Sequence, residues 1–214
     1  MGRLQNVPTP AVRRLSLYLR QLEALHAAHR DTVSSRELGE VLKISDAQIR
    51  KDLAYFGQFG YPGIGYRIPE LIRRVREILG TDKPSNVLLV GVGNLGQALL
   101  SYRGFDKRGF RVVAAFDKDP AKVGSRLAGP NALKIQPLSE MARTIKAKSI
   151  RVGIVAVPAD SAQSVADTMV EAGIRGILNF APVGLQVTSD VAVVSVDLAV
   201  QLEQLSFRLH DAVE

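Results

Sequence analysis

No cysteine occurs anywhere in the 214 residues. That one absence removes disulfides, thiolate metal sites, iron–sulfur clusters and thiol-based redox switching together. Any redox role must therefore be carried by a ligand. Long apolar runs are missing too: no stretch of 18 or more apolar residues exists, and the first 25 residues set Arg13, Arg14 and Arg20 within a periodic pattern rather than an apolar signal segment. A soluble, cytoplasmic protein without membrane contact or a bound metal is the expectation. Histidine is scarce, with only His26, His29 and His210.

What is present is an apolar fraction of 46% and a net charge of +7. The length exceeds one typical domain of about 100–150 residues, so one large or two modest domains are expected. The charge is uneven. Residues 1–80 carry 13 Lys/Arg against 8 Asp/Glu, and 81–214 carry 15 against 13, so the N-terminal third holds +5 of the +7. A basic module of this kind suits a polyanion, although solvated helices can have the same composition.

From Pro10 to about His29, Val12, Leu15, Leu19, Leu22 and Leu25 recur at helical spacing, with arginines on the opposite face. Ser34-Ser35-Arg36-Glu37 has the pattern of a capping box, opening a short helix to Leu42 with Leu38, Val41 and Leu42 inward. Ser45-Asp46-Ala47-Gln48 offers a second box and a helix to about Phe56, buried through Ala47, Ile49 and Leu53. Two short helices at a tight turn have helix-turn-helix spacing. Phe56 to Tyr66, FGQFGYPGIGY, combines glycines with aromatics and predicts a hairpin, which makes the module a winged helix. Pro69 then starts a helix with Leu71, Ile72, Val75, Ile78 and Leu79 along one stripe and Gly80 at its end. The polar stretch Thr81 to Ser85 marks a boundary, giving a winged-helix domain over 1–80.

Beyond it the rhythm becomes strand and helix in alternation. Strands are expected at Asn86–Val90, Phe110–Asp117, Ser149–Pro158, GILNF (176–180) and Val191–Val196, with helices from Asn94 and over Ser161–Ala172. Near-continuous apolar strands separated by helices predict an α/β Rossmann domain over 81–196, a mostly parallel, doubly wound sheet. The last helix, Asp197 to Val213 within 197–214, carries Leu198, Leu202, Leu205 and Leu209 on one stripe. It packs either on its own sheet or against a second subunit.

Gly91-Val92-Gly93-Asn94-Leu95-Gly96 is GxGxxG, placed directly after a strand and at the opening of a helix, with Asp117 ending the next strand 26 positions past Gly91. In this pattern the first glycine permits a sharp turn, the second removes a side chain where a pyrophosphate must approach, and the third allows close helix packing. The helix N-terminus supplies amides and a positive dipole end. Asp117 would accept from adenosine ribose hydroxyls and repel a 2′-phosphate, favouring NAD(H), though the neighbouring Lys118 weakens that preference. Two further strand ends face the same crevice, Ala156-Val157-Pro158 and Asn179-Phe180-Ala181-Pro182. Asn179 could hydrogen-bond a carboxamide, and Phe180 and Pro182 could wall a nicotinamide ring; a plain strand-terminating turn is the other reading of each.

Dehydrogenases need a proton carrier near the hydride acceptor. All three histidines lie outside the nucleotide half of the sheet, and Tyr102 is followed by Arg103, Gly104, Phe105 and Asp106 rather than completing Tyr-x-x-x-Lys. Binding without turnover is the favoured reading. The rivals are a small NAD-dependent oxidoreductase and a CoA-binding or structural Rossmann module. In the helix-turn-helix, the second helix would enter the major groove with Gln48 suited to adenine and Arg50 or Lys51 to guanine or phosphate, Ser45 serving chiefly as cap. Tyr55, Phe59, Tyr61 and Tyr66 form an aromatic wing that could follow the DNA backbone or pack the hairpin.

Taken together, RKDLAYFGQFGYPGIGY, LLVGVGNLGQALLSYRGF, FDKDPAKVG, GIVAVP, GILNFAPV and VDLAVQLEQLSF resemble the Rex family of redox-sensing transcriptional repressors over nearly the whole chain. The resemblance implies a homodimer with winged helices on double-stranded operator DNA, Rossmann domains holding NADH or NAD⁺, and a C-terminal helix exchanged between subunits. It implies that NADH releases the DNA and that NAD⁺ competes. It assigns Gly91–Gly96 to the phosphate loop, Asp117 to the ribose and Tyr102 to the neighbourhood of the nicotinamide. Arg20 and Asp197 become a pair coupling cofactor state to the winged helix, and Gln48, Arg50 and Lys51 the DNA contacts. Many members place a basic residue before Gly63, where this chain has Pro62.

Overall fold

The computed structural model describes residues 7–127 and 133–211, and divides them between two compact units, 1–83 and 84–214. In the first, α1 (Thr9–Ala27) is followed by β1 (Thr32–Val33), α2 (Ser35–Leu42), α3 (Asp46–Ala54), β2 (Gly60–Tyr61), β3 (Gly65–Arg67) and α4 (Ile68–Leu79). Ser34 closes a complete capping box: its hydroxyl accepts from the Glu37 amide and the Glu37 carboxylate accepts from the Ser34 amide. Lys43 takes a left-handed φ of 55° to end α2 and turn the chain into α3. Leu15, Tyr18, Leu19, Leu22, Leu38, Ile49, Leu53, Ile68, Leu71 and Val75 form one apolar core. The hairpin joins a small antiparallel sheet of order β1-β3-β2, with Tyr66 turned into the core.

Some inward assignments fail. Val12, Val41 and Ala47 are exposed, because the buried positions are taken by Ala11 and Tyr18 on α1, by Leu38 and Gly39 on α2, and by Ile49 and Asp52 on α3. Ser45 caps α3 by accepting from the Gln48 amide, but the Gln48 side chain turns to Asp52 instead of completing the second box.

The second unit comprises β4 (Ser85–Val90), α5 (Asn94–Ser101), α6 (Gly104–Lys107), β5 (Phe110–Asp117), β6 (Ile135–Pro137), a 3-10 turn at Leu138–Glu140, α7 (Met141–Ala147), β7 (Val152–Val155), α8 (Ala159–Ala172), β8 (Gly176–Asn179), β9 (Ala192–Ser195) and α9 (Leu198–Asp211). All six strands are parallel, in the order β6-β5-β4-β7-β8-β9. The order reverses between β4 and β7, the position at which a doubly wound sheet opens its crevice. Alternation along β4 sorts the core: Leu88 and Val90 face Met141, Ile145, Ala162, Val165 and Met169, while Val87 and Leu89 face the side packed by Leu99, Leu100 and Phe105. Both faces are therefore covered, which explains the unbroken apolar strands. The β4–β5 register shifts at Val87/Leu88, leaving Val113 unmatched, and the Val113 carbonyl accepts from Lys148 at 2.6 Å.

The strand read at 149–158 shortens to its middle, since Ser149 takes a positive φ and Pro158 precedes α8. β6, α6 and α7 span three, four and seven residues, too few to show a period. The expected helix end at Val213 lies outside the described residues. Leu198, Leu202, Leu205, Phe207 and Leu209 of α9 are 53–67% exposed, so this helix does not pack on its own sheet.

Phe116 is fully buried on β5. Phe116→Ala should cost about 3–5 kcal/mol, read as a drop in the urea unfolding midpoint; a midpoint unchanged from wild type would show that the sheet core does not limit stability.

Candidate functional site

At the reversal point, Gly91 turns the chain out of β4 with φ of 96°, a conformation costly for any residue bearing a side chain. A Cβ there would also strike the Ala156 carbonyl at the end of β7. At Gly96 a Cβ would strike the Gly91 carbonyl, so α5 approaches the loop as closely as backbone permits. Nothing lies within 4 Å of the position a Cβ would take at Gly93. This is open space beside a helix N-terminus that no side chain caps. First-turn amides have no intrahelical acceptor, so Asn94, Leu95 and their neighbours form a cradle for an anion.

Asp117 closes this cradle from β5. One carboxylate oxygen accepts from the Val92 amide at 2.7 Å and the other from the Asp119 amide at 2.9 Å, with Lys122 Nζ at 3.5 Å. Burial alone would push Asp117 up. The two amides and Lys122 outweigh it and hold the carboxyl below its usual range, so it is anionic at neutral pH. Lys118 reaches from the same strand end to Ser161 at 3.1 Å and is exposed.

The other sequence-nominated residues divide. Val157 and Phe180 are partly buried and Pro158 and Pro182 exposed at the ends of β7 and β8, on the carboxyl side of the sheet with the glycine loop; Ala181 is buried beside them. Asn179 is a correction. It is fully buried, its amide nitrogen donating to the Ala181 and Val183 carbonyls and its oxygen accepting from the Ala181 amide. Its polar atoms shape the turn rather than face a ligand. Tyr102 stands apart from the loop, at the far end of the helix that the loop opens. It caps the C-terminus of α5, roughly 12 Å of helix away from the glycine loop, and is 59% exposed with its ring edge-on to Phe105. Arg20 is exposed on α1. Asp197 accepts from the Ala199 and Val200 amides and thereby caps α9.

A second constellation lies on the helix-turn-helix, and its centre went unread in the sequence. Asp52 of α3 is fully buried and receives four donors: Arg14 Nε at 2.6 Å and Tyr18 Oη at 2.6 Å on Oδ2, with Arg14 Nη2 at 2.8 Å and Gln48 Nε2 at 2.7 Å on Oδ1. Burial would push Asp52 up, but the bonds from Arg14, Tyr18 and Gln48 hold it below the usual carboxylate range. Burial and the Asp52 bond push the Tyr18 phenol up, so it remains a donor. The available signal was position: Asp52 lies three residues after Ile49, on the buried face of α3, where a carboxylate requires partners. Around it, Arg50 pairs with Asp46 at 2.6 Å and with the Ser35 hydroxyl, and Lys51 is exposed. Tyr55 and Tyr61 are exposed; Tyr61 bonds Glu70, and Arg67 stacks 5.0 Å from its ring centroid.

Family comparison fits both halves. Residues 6–54 match the family described as "Putative DNA-binding protein N-terminus", and 82–183 match "CoA binding domain". The redox-sensing transcriptional repressor Rex of Desulforamulus reducens is 47% identical over 203 residues, 95% of each chain. Rex of Chloroflexus aurantiacus is 46% identical over 209 residues, 98% of this chain and 97% of the relative. Among solved structures, RSP in complex with beta-NAD+ and operator DNA superposes with a TM-score of 0.91 at 38% identity, covering 96% of this chain and 94% of that one. RSP in complex with beta-NADH superposes at 0.85 and 36% identity, covering 97% and 96%.

Because Asp52 is ionised in the fold more readily than in the unfolded chain, its contribution to stability is complete above the ordinary carboxylate range and is withdrawn as pH falls below that range. Urea titrations carried from neutral to strongly acidic pH should show a steeper acid loss in wild type than in Asp52→Asn. Identical profiles would detach Asp52 from acid sensitivity. On sequence, fold and site together, this chain belongs to the Rex family of redox-sensing transcriptional repressors.

Proposed function

We propose that this chain is a redox-sensing transcriptional repressor of the bacterial cytoplasm that holds double-stranded operator DNA when NADH is scarce and releases it when NADH binds. The observation that carries the reading is the open cradle over Gly93, on a chain whose relatives, named as redox-sensing repressors, match it across 95% of its length. Residues 1–80 form the DNA-binding winged helix, 81–196 the dinucleotide domain, and 197–214 a helix exchanged within a homodimer. The exposed leucine stripe of α9 supports the exchange, since such a face is stable in water only when covered.

The Gly91–Gly96 loop, with Val92, Asn94 and Leu95, would hold a pyrophosphate, and Asp117 a ribose hydroxyl beside Lys118. Val157, Pro158, Phe180, Ala181 and Pro182 would wall the crevice toward the nicotinamide end. The dinucleotide brings a ring whose charge and planarity change on reduction. The crevice residues and Tyr102 respond to that change, and Arg20 and Asp197 couple it to the position of the winged helix. A ligand shifts two states only by its differential affinity for them. Release follows when the two α3 helices no longer match half-sites about 34–36 Å apart. Turnover is not part of this reading: among the described residues, no histidine lies on any strand end of the six-stranded sheet.

A mobility-shift assay on candidate promoters, with NADH and NAD⁺ varied, tests the proposal. NADH should dissociate the complex and NAD⁺ should oppose it; retention of operator at every NADH concentration would overturn it. The two sites are also separable. Arg50→Ala should weaken operator binding with NADH affinity unchanged, and Asp117→Ala should weaken NADH while leaving ligand-free DNA binding intact, both read by titration.

A further inference from the structure

The buried carboxylate of Asp52 has a consequence for sequence selectivity that α3 alone does not provide. An ionised carboxylate can only accept hydrogen bonds, so the group of Gln48 that meets Asp52 Oδ1 at 2.7 Å has to be its amide nitrogen. The bond takes one of the two N–H hydrogens. Left over are Gln48 Oε1 and the second N–H, an acceptor and a donor side by side near the N-terminus of the helix that follows the turn.

That pair is complementary to the major-groove edge of adenine, which offers an N6 donor and an N7 acceptor. It is not complementary to guanine, which offers two acceptors there. A glutamine free to rotate could swap its ends or present both hydrogens to a guanine. Either movement here would break the bond to Asp52 or bring Oε1 against a carboxylate. Asp52 cannot yield, because Arg14 holds both of its oxygens and Tyr18 holds one, from the neighbouring helix α1. We propose that Asp52 is a positioning residue for base selection: anchored by Arg14 and Tyr18, it fixes the Gln48 amide in the orientation that accepts adenine and refuses guanine. This rests on the reading of α3 as the DNA-contacting helix, and deepens it.

Duplexes selected by the wild-type protein from a randomised pool provide the probe. Each adenine of the selected half-site is replaced in turn by guanine or by 7-deazaadenine, and Kd is read by fluorescence anisotropy. One adenine should lose about 5- to 150-fold in affinity on N7 deletion, the range of a single bidentate base contact. Gln48→Ala should abolish the dependence at that position alone. Asp52→Asn, checked for folding by circular dichroism, should bring guanine within a few-fold of adenine there while discrimination elsewhere persists, and should add nothing at that position in the Gln48→Ala background.

If Asp52→Asn weakens every duplex by one common factor with the adenine preference intact, Asp52 is structural only and the inference is overturned. The wild-type protein supplies an arm that does not depend on that variant folding: if no adenine N7 deletion separates wild type from Gln48→Ala, the inference is likewise overturned. Failure of wild type to enrich any duplex would instead overturn the DNA-binding reading beneath it.

Discussion

The contact between the ends of β4 and β7 is the constraint around which the second unit is arranged. The sheet order reverses there, the Ala156 amide donates to the Val90 carbonyl, and Gly91 fits only because it lacks a side chain to strike Ala156. With that crossing fixed, α5 starts where its amides face outward over Gly93, and β5 ends where Asp117 meets Val92. The crevice follows from the topology, and its anion preference follows from the unpaired amides at its floor.

The first unit is arranged around an ionic constraint instead. A helix of nine residues has little stability by itself, and α3 gains a fixed position from two sources, the apolar contacts of Ile49 and Leu53 and the four donors on Asp52. Burying a carboxylate is costly unless its lone pairs are filled, and here Arg14, Tyr18 and Gln48 fill them. The helix is thereby held to α1 by directional bonds as well as by apolar contact.

Much of this was legible in the residues because the relevant signals are local. The Ser34 box, the Gly80 stop, the GxGxxG loop and the alternation of apolar strands with helices each depend on neighbours within a few positions. What escaped depends on partners far away in sequence. Arg14 and Tyr18 are 38 and 34 residues from Asp52, so nothing local marks them as its donors. Asn179 sits at a strand end facing a crevice, where a ligand contact and a turn-forming amide have the same sequence; only its bonds to Ala181 and Val183 separate them. β6 and α7 were too short to show a period.

The bond from the Val92 amide to Asp117 also bears on the thermodynamics of occupancy. It ties the glycine loop to an adjacent strand before anything occupies the crevice, so a phosphate arriving there freezes few additional backbone torsions. The entropy of ordering that loop was already spent in folding. A guest that differs only far from its phosphates cannot be distinguished at this end, and whatever selectivity exists has to arise where the chain still has freedom to lose.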